Sequence, residues 1–152
     1  MPKASVKRLI ECKKMDLIDL VLDIEKYPEF VPFCFDAKIY ENKNEGDFKK
    51  IIADLTIGKG PFKDTYKSDV VFNKKKDTIR VKNIEGPLNH LSNNWRFTDK
   101  SNGITEVTFD IDFEIKNKFL NSLMVVSFQF GLDKIADSFQ KRAETLFSNS
   151  KN

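Results

Sequence analysis

A chain of 152 residues is the length of one domain and can bury about 68–70% of its unfolded surface. Its 26 basic residues nearly balance 23 acidic ones, for a net charge of +3, and only four of the basic residues are arginine (Arg8, Arg80, Arg96, Arg142). That bias argues against base-specific nucleic-acid recognition, which favours the bidentate guanidinium. Two cysteines, Cys12 and Cys34, are too few for a disulfide framework and suit a reducing compartment. Fourteen Phe against three Tyr and one Trp call for a large dry interior, because a phenyl ring has no polar handle.

The N-terminus alternates almost at once. In SVKRLIEC, Val6, Arg8, Ile10 and Cys12 share one side, which predicts a strand and leaves no room for a cleaved leader. DLIDLVLDIEKY follows as a helix, with Asp16 as its expected N-cap and Leu17, Val21 and Ile24 at helical spacing. Pro28 fits the first turn of a second short helix that Pro32 ends. From Asp36 the period becomes two, predicting strands over 36–43, 48–57, 63–73, 78–84, 90–98 and 104–115. The breaks NKNEGD, GKGP, NKKKD, EGP and KSNG are rich in turn formers.

The last of these strands is the clearest. Val107, Phe109, Ile111, Phe113 and Ile115 face one way, Glu106, Thr108, Asp110, Asp112 and Glu114 the other, so the sheet has one dry and one wet face. Residues 118–147 then predict one helix of about 45 Å at 1.5 Å per residue. Met124, Phe128, Leu132, Ile135, Phe139, Ala143 and Leu146 make its core stripe, and its first half, FLNSLMVVSFQFGL, is apolar nearly all round. No apolar run approaches the ~20 residues of a membrane span. The expected fold class is α+β: a curved antiparallel sheet of about seven strands around one long C-terminal helix, with one or two short helices after the first strand, in a single domain over 1–152.

Side chains for chemistry are scarce. His90 is the one histidine, no nucleophile elbow accompanies it, and alternation puts it on the face opposite Leu91, Asn93, Trp95 and Phe97. One histidine and two distant cysteines have no metal-ligand spacing, and IGKGPF reads as a hairpin turn rather than a phosphate loop. Asp110, Asp112 and Glu114 read as a solvated strand face. Cys34, among Pro32, Phe33 and Phe35, reads as a buried, inert thiol. What remains is apolar surplus. The expected cavity lining is Phe30, Pro32, Phe33, Tyr66, Trp95, Phe97, Phe109, Phe113, Phe128 and Leu132, against the plain alternative that these side chains fill the core. Buried Tyr66 and Trp95 would each need a polar partner.

Three motifs together, YPEFVPFC, GPLNHLSNNWRF and VTFDIDFEIKNKFLNSL, resemble the coenzyme Q-binding proteins of the START-like (polyketide cyclase/dehydrase) superfamily over about residues 3–147. The resemblance implies a helix-grip fold with an apolar tunnel between sheet and helix. Tyr27, Phe30, Pro32, Phe33 and Cys34 would form a lid segment, and Gly86 and Pro87 the turn into the strand bearing Trp95 and Phe97. This chain has Phe33 where relatives often carry Trp, and Leu88 where an aromatic often follows Gly-Pro. The implied function is non-enzymatic binding of ubiquinone or a related isoprenoid lipid and its delivery to the respiratory chain. No cofactor or metal is expected; the quinone is cargo.

The expected location is the cytoplasm, with peripheral contact at the inner membrane, or the mitochondrial matrix side in a eukaryote. Two alternatives stay open. One is a ribosome-association toxin of the same branch, which would need a basic surface such as NKKKD (73–77) with Lys13 and Lys14. The other is a cyclase-like enzyme on a small aromatic or polyketide substrate, which would need inward polar groups.

Overall fold

Strand β1 (Lys3–Ile10) opens the chain, and the helix α1 (Lys14–Leu22) and a 3₁₀ helix (Ile24–Glu29) follow it. Six strands come next: β2 (Cys34–Glu45), β3 (Phe48–Lys59), β4 (Phe62–Asn73), β5 (Thr78–Glu85), β6 (Leu88–Asp99) and β7 (Thr105–Ile115). The helix α2 (Lys118–Phe147) closes the molecule. This computed structural model describes residues 3–59, 61–86 and 88–147, and the side chains within them apart from those of 59, 62, 120 and 123–130.

All seven strands form one antiparallel sheet in the order β1-β7-β6-β5-β4-β3-β2. Strands β2 to β7 form a meander through short turns, whereas β1 is brought to the far edge, beside β7, with Val6 opposite Phe109. The turns use left-handed residues where the breaks had suggested them: Gly46, Asp77, Asn102 and Gly103 all have positive φ. Shifts of register interrupt β2 between Cys34 and Asp36 and between Ile39 and Glu41, and others fall at Lys67/Ser68 and Leu88/His90. Such bulges increase twist and bend a sheet, which here helps it curl around α2.

The dry face matches the alternation. Ile51, Ala53, Leu55, Val70, Phe72, Ile79, Trp95, Phe97, Val107 and Phe109 are buried in one cluster with Leu17, Ile18, Leu132, Phe139 and Ala143 from the helices. Burying these side chains contributes about 1.5–3 kcal/mol each for the larger ones. Among the described residues no helix is long and apolar enough to cross a membrane.

Two local expectations are corrected. Asp16 is not the N-cap: α1 begins two residues earlier, with Lys13 at the cap position, Leu17 N–H bonded to Lys13 O at 3.0 Å, and Asp16 in the first turn. The start is set by a tertiary tie, because Lys14 Nζ reaches Asp77 at 2.8 Å and Asp99 at 3.2 Å. Asp16 still complements the N-terminal dipole. Pro28 does not open a helix either. It lies late in the 3₁₀ helix, where its ring is exposed, and Phe30 N–H bonds Tyr27 O at 3.1 Å.

Candidate functional site

The aromatic corner after α1 is anchored before it does anything else. The Tyr27 hydroxyl donates to Val21 O, and burial pushes its phenol well above the ordinary range. The rings of Tyr27 and Phe30 meet Phe139 of α2 edge-on at 5.3 and 5.2 Å. Arg142 stacks its guanidinium over Phe30 at 5.0 Å and bonds Glu29 at 2.8 Å, and that hydrogen bond, followed by the Lys26 charge, holds the Glu29 carboxyl below its usual range.

Beyond Pro32 the chain is bent hard. Phe33 has φ 70, a left-handed value that a bulky residue adopts only where its surroundings hold it there. Its carbonyl accepts from Gly58 N–H at 2.9 Å, and its ring lies 3.8 Å from where a Cβ on Gly131 of α2 would stand. The stiff segment is thus fastened at Tyr27 and Phe30 and reaches α2 again at Phe33. Cys34 is buried, and desolvation pushes its thiol from 9.0 up to about 11, so at neutral pH it is a thiol and not a nucleophile.

Gly86 has a requirement that its turn position alone does not reveal. At φ +134 its Cα lies against β4 so closely that a Cβ would meet Tyr66 Cα and Cβ at 2.8 Å. The next device is Asn83. Regular pairing of β5 with β6 stops at Lys82–Ser92. The Asn83 amide then donates to Leu88 O at 3.2 Å and accepts from Leu91 N–H at 2.9 Å, replacing the ladder where β6 bulges.

The expected lining residues sort into two groups. Phe30, Trp95, Phe97, Phe109 and Leu132 belong to the main core. Trp95 lies 4.3 Å from Phe109 and 5.2 Å from Phe139, ring centre to ring centre. Trp95 and Phe109, with Val6, Ile135 and Phe139, border a narrow apolar cleft of about 20 Å³ between β1, β7, β6 and α2. That is room for about one water molecule. Phe113 belongs elsewhere, in a second cluster with Leu88 and Leu91, and Tyr66, Val81 and Ile111 touch both clusters. Pro32 and Phe33 are half-buried at the corner, and the Phe128 side chain lies outside the described residues. Phe139, on which the rings of Tyr27, Phe30 and Trp95 converge, was expected as core stripe only; its helical spacing gave no sign of that role.

His90 is 40% exposed at its side chain, on the outer face, 3.5 Å from Asp112. Among the described residues no group of three His, Cys, Asp or Glu is placed to hold a metal. Of the basic candidates, Lys14 is engaged by Asp77 and Asp99, and Lys75 by Asp47 at 3.3 Å.

A curved antiparallel sheet closed on one long helix, with more apolar surface on its concave side than one core cluster accounts for, defines a helix-grip, START-like domain. The chain belongs to the polyketide cyclase/dehydrase and lipid transport family, whose model matches residues 15–140. It is 31% identical over 140 residues to the ribosome association toxin RatA of Rickettsia prowazekii, covering 90% of this chain and 92% of the toxin. It is 32% identical over 133 residues to the mitochondrial coenzyme Q-binding protein of Dictyostelium discoideum, covering 86% of this chain and 63% of that protein. An 18 kDa protein of Caulobacter crescentus superposes with a TM-score of 0.78 at 25% identity, covering 96% of this chain and 98% of that one. A START superfamily protein from Mycobacterium smegmatis reaches a TM-score of 0.80 at 16% identity, over 95% and 98% of the two chains.

Proposed function

We propose that this protein binds ubiquinone or a related isoprenoid lipid between the concave face of its sheet and α2, without altering it, and carries it toward the respiratory chain. The observation that supports this most is the second apolar cluster. Leu88, Leu91 and Phe113 stand apart from the main core, joined to it through Tyr66, Val81 and Ile111, so the dry face divides into two regions. The Dictyostelium relative bears coenzyme Q in its name, which supports the same ligand class. Burying a prenyl tail contributes about 0.8 kcal/mol per CH₂-sized group, so binding needs little polar recognition. The cyclase alternative gains little, because the inward side chains offer neither a metal cluster among the described residues nor a nucleophile with a base.

Gentle purification from the native host, organic extraction and mass spectrometry test the proposal. A near-stoichiometric quinone is expected. An extract no richer in quinone than that of an unrelated control protein overturns it.

Ribosome association is the second reading, favoured by the two-sided coverage of the Rickettsia toxin. Sedimentation with ribosomes that weakens steeply between about 50 and 200 mM salt would support phosphate contact by lysines. Engagement of Lys14 and Lys75 by carboxylates reduces the free basic surface available for it.

A further inference from the structure

One row of the concave face crosses six strands: Ile51, Val70, Val81, Asn93, Ile111 and Ala4 stand opposite one another from β3 to β1. Five of the six are apolar. The exception, Asn93, is in the middle of β6 between Val81 and Ile111, two of the three residues that touch both apolar clusters. A polar side chain there is the opposite of what a dry sheet face selects.

Asn93 Oδ1 is buried and has no hydrogen-bond partner among the described residues. Asn83, on the neighbouring strand, shows what a structural asparagine does here: both ends of its amide are bonded to backbone. His90, Asp112 and Arg142 also hold a buried unpartnered atom, but each lies beside an ionisable partner: His90 beside Asp112, Asp112 beside Lys3, Arg142 beside Glu29. Asn93 has only apolar cross-strand neighbours. A buried carbonyl left unpaired is a standing cost to the fold, and such groups in native proteins call for a reason.

We infer that Asn93 is the polar anchor for the ring of the bound lipid, taking an oxygen substituent of an aromatic or quinoid head at the seam between the two apolar clusters. This rests on the ligand class proposed above and adds the place of the head. As oriented, the amide oxygen accepts from a ring hydroxyl. Turned over, its NH₂ donates to a ring carbonyl from the same position. The reduced and oxidised heads are therefore one chemistry to this site, and a hydrocarbon without oxygen is not.

Trp95 is two residues away on the same strand face and is the chain's one tryptophan, so it reports binding without a label. The test measures the Kd of decylubiquinone by quenching of Trp95, and of decylbenzene, which lacks the oxygens, by its displacement of decylubiquinone. Wild type is compared with Asn93→Leu, and with Asn93→Val as a second variant that suits a strand. Decylubiquinone is expected to weaken about tenfold in either variant, the loss of one hydrogen bond to a buried partner. Decylbenzene is expected to bind as before or tighter, and the ligand-free variants to melt at higher temperature than wild type. Unchanged decylubiquinone binding in the variants overturns the anchor and leaves the carrier reading standing. An equal loss of both compounds overturns it too, since shape and not hydrogen bonding would then be at work. Wild-type protein that binds neither compound overturns both.

Discussion

At Gly86 the backbone conformation and the neighbouring strand make the same demand. An alanine there would hold φ +134, which side chains rarely adopt, and press its methyl group against Tyr66 backbone at 2.8 Å. Gly86→Ala is therefore expected to cost at least about 2 kcal/mol, read as a lower urea midpoint. Gly46, with φ +60 and nothing within 4 Å of a built Cβ, carries only the conformational part, so Gly46→Ala should cost about 1–2 kcal/mol. Protonation is also decided residue by residue. Burial raises Cys34 from 9.0 to about 11 and raises Tyr27 and Tyr66 from 10.0. Each group holds its proton more tightly folded than unfolded, so the stability it contributes is fully present below the unfolded pKa and is lost as pH rises through the folded one. The urea midpoint should fall from about pH 9 to pH 11, and these three groups should leave it flat below about pH 8. Gly86 was legible as a turn and Cys34 as an inert thiol. The Tyr66 contact that makes Gly86 indispensable was not, because it depends on the closeness of two strands some twenty residues apart in sequence.

At the scale of elements, period-two alternation and turn composition placed every strand of the meander to within a few residues of its observed ends, since each hairpin joins neighbours in sequence. The long helix was placed at 118–147, as observed, but the start of α1 was less legible, because a tertiary tie decides it: Lys14 to Asp77 and Asp99 brings α1 forward. Two changes test element-level devices. Asn83→Ala removes the amide that replaces the β5–β6 ladder and leaves Leu88 O and Leu91 N–H without it. A loss of about 2 kcal/mol is expected, with amide exchange at Leu91 accelerating more than at Phe97. Gly131 lies in the interior of α2 with a helical φ, and a Cβ there would meet the Phe33 ring at an ordinary 3.8 Å. Gly131→Ala is expected to stabilise by about 0.5–1 kcal/mol in thermal melts. Destabilisation would mean that Phe33 cannot yield even a little, and that its strained corner is rigid.

At the scale of the molecule, alternation identified the dry face, but nothing local said that β1 would close the sheet beside β7 or that Phe30 and Trp95, two of the expected lining rings, would pack on Phe139. Those are long-range choices of shape. Among the described residues, α2 is fastened to β1 and to the corner before β2. Its second half is fixed to β1 by Arg8, which reaches Asp137 at 2.5 Å and Asp133 at 3.9 Å, and by Gln140 on Leu9 O at 3.3 Å. Arg142 ties it to Glu29, and Phe139 and Ala143 are buried in the main core. The cleft bordered by this half holds about 20 Å³, far less than the ~300–1,000 Å³ of a ligand pocket. On the proposed carrier reading, a lipid would take the other region of the concave face, past Asn93 and against Leu88, Leu91 and Phe113, where uptake leaves the clamped half of α2 in place. Hydrogen exchange should separate the two regions. Amides of 135–143 are expected to exchange slowly, only through global unfolding, and to change on adding decylubiquinone no more than overall stability does. Amides of β5 and β6 from Val81 to Asn93 are expected to open locally in the free protein and to slow beyond that shared increment when the ligand is bound. Slowing centred on 135–143 instead would place the ligand in the narrow cleft and require the Arg8 clamp to open for it.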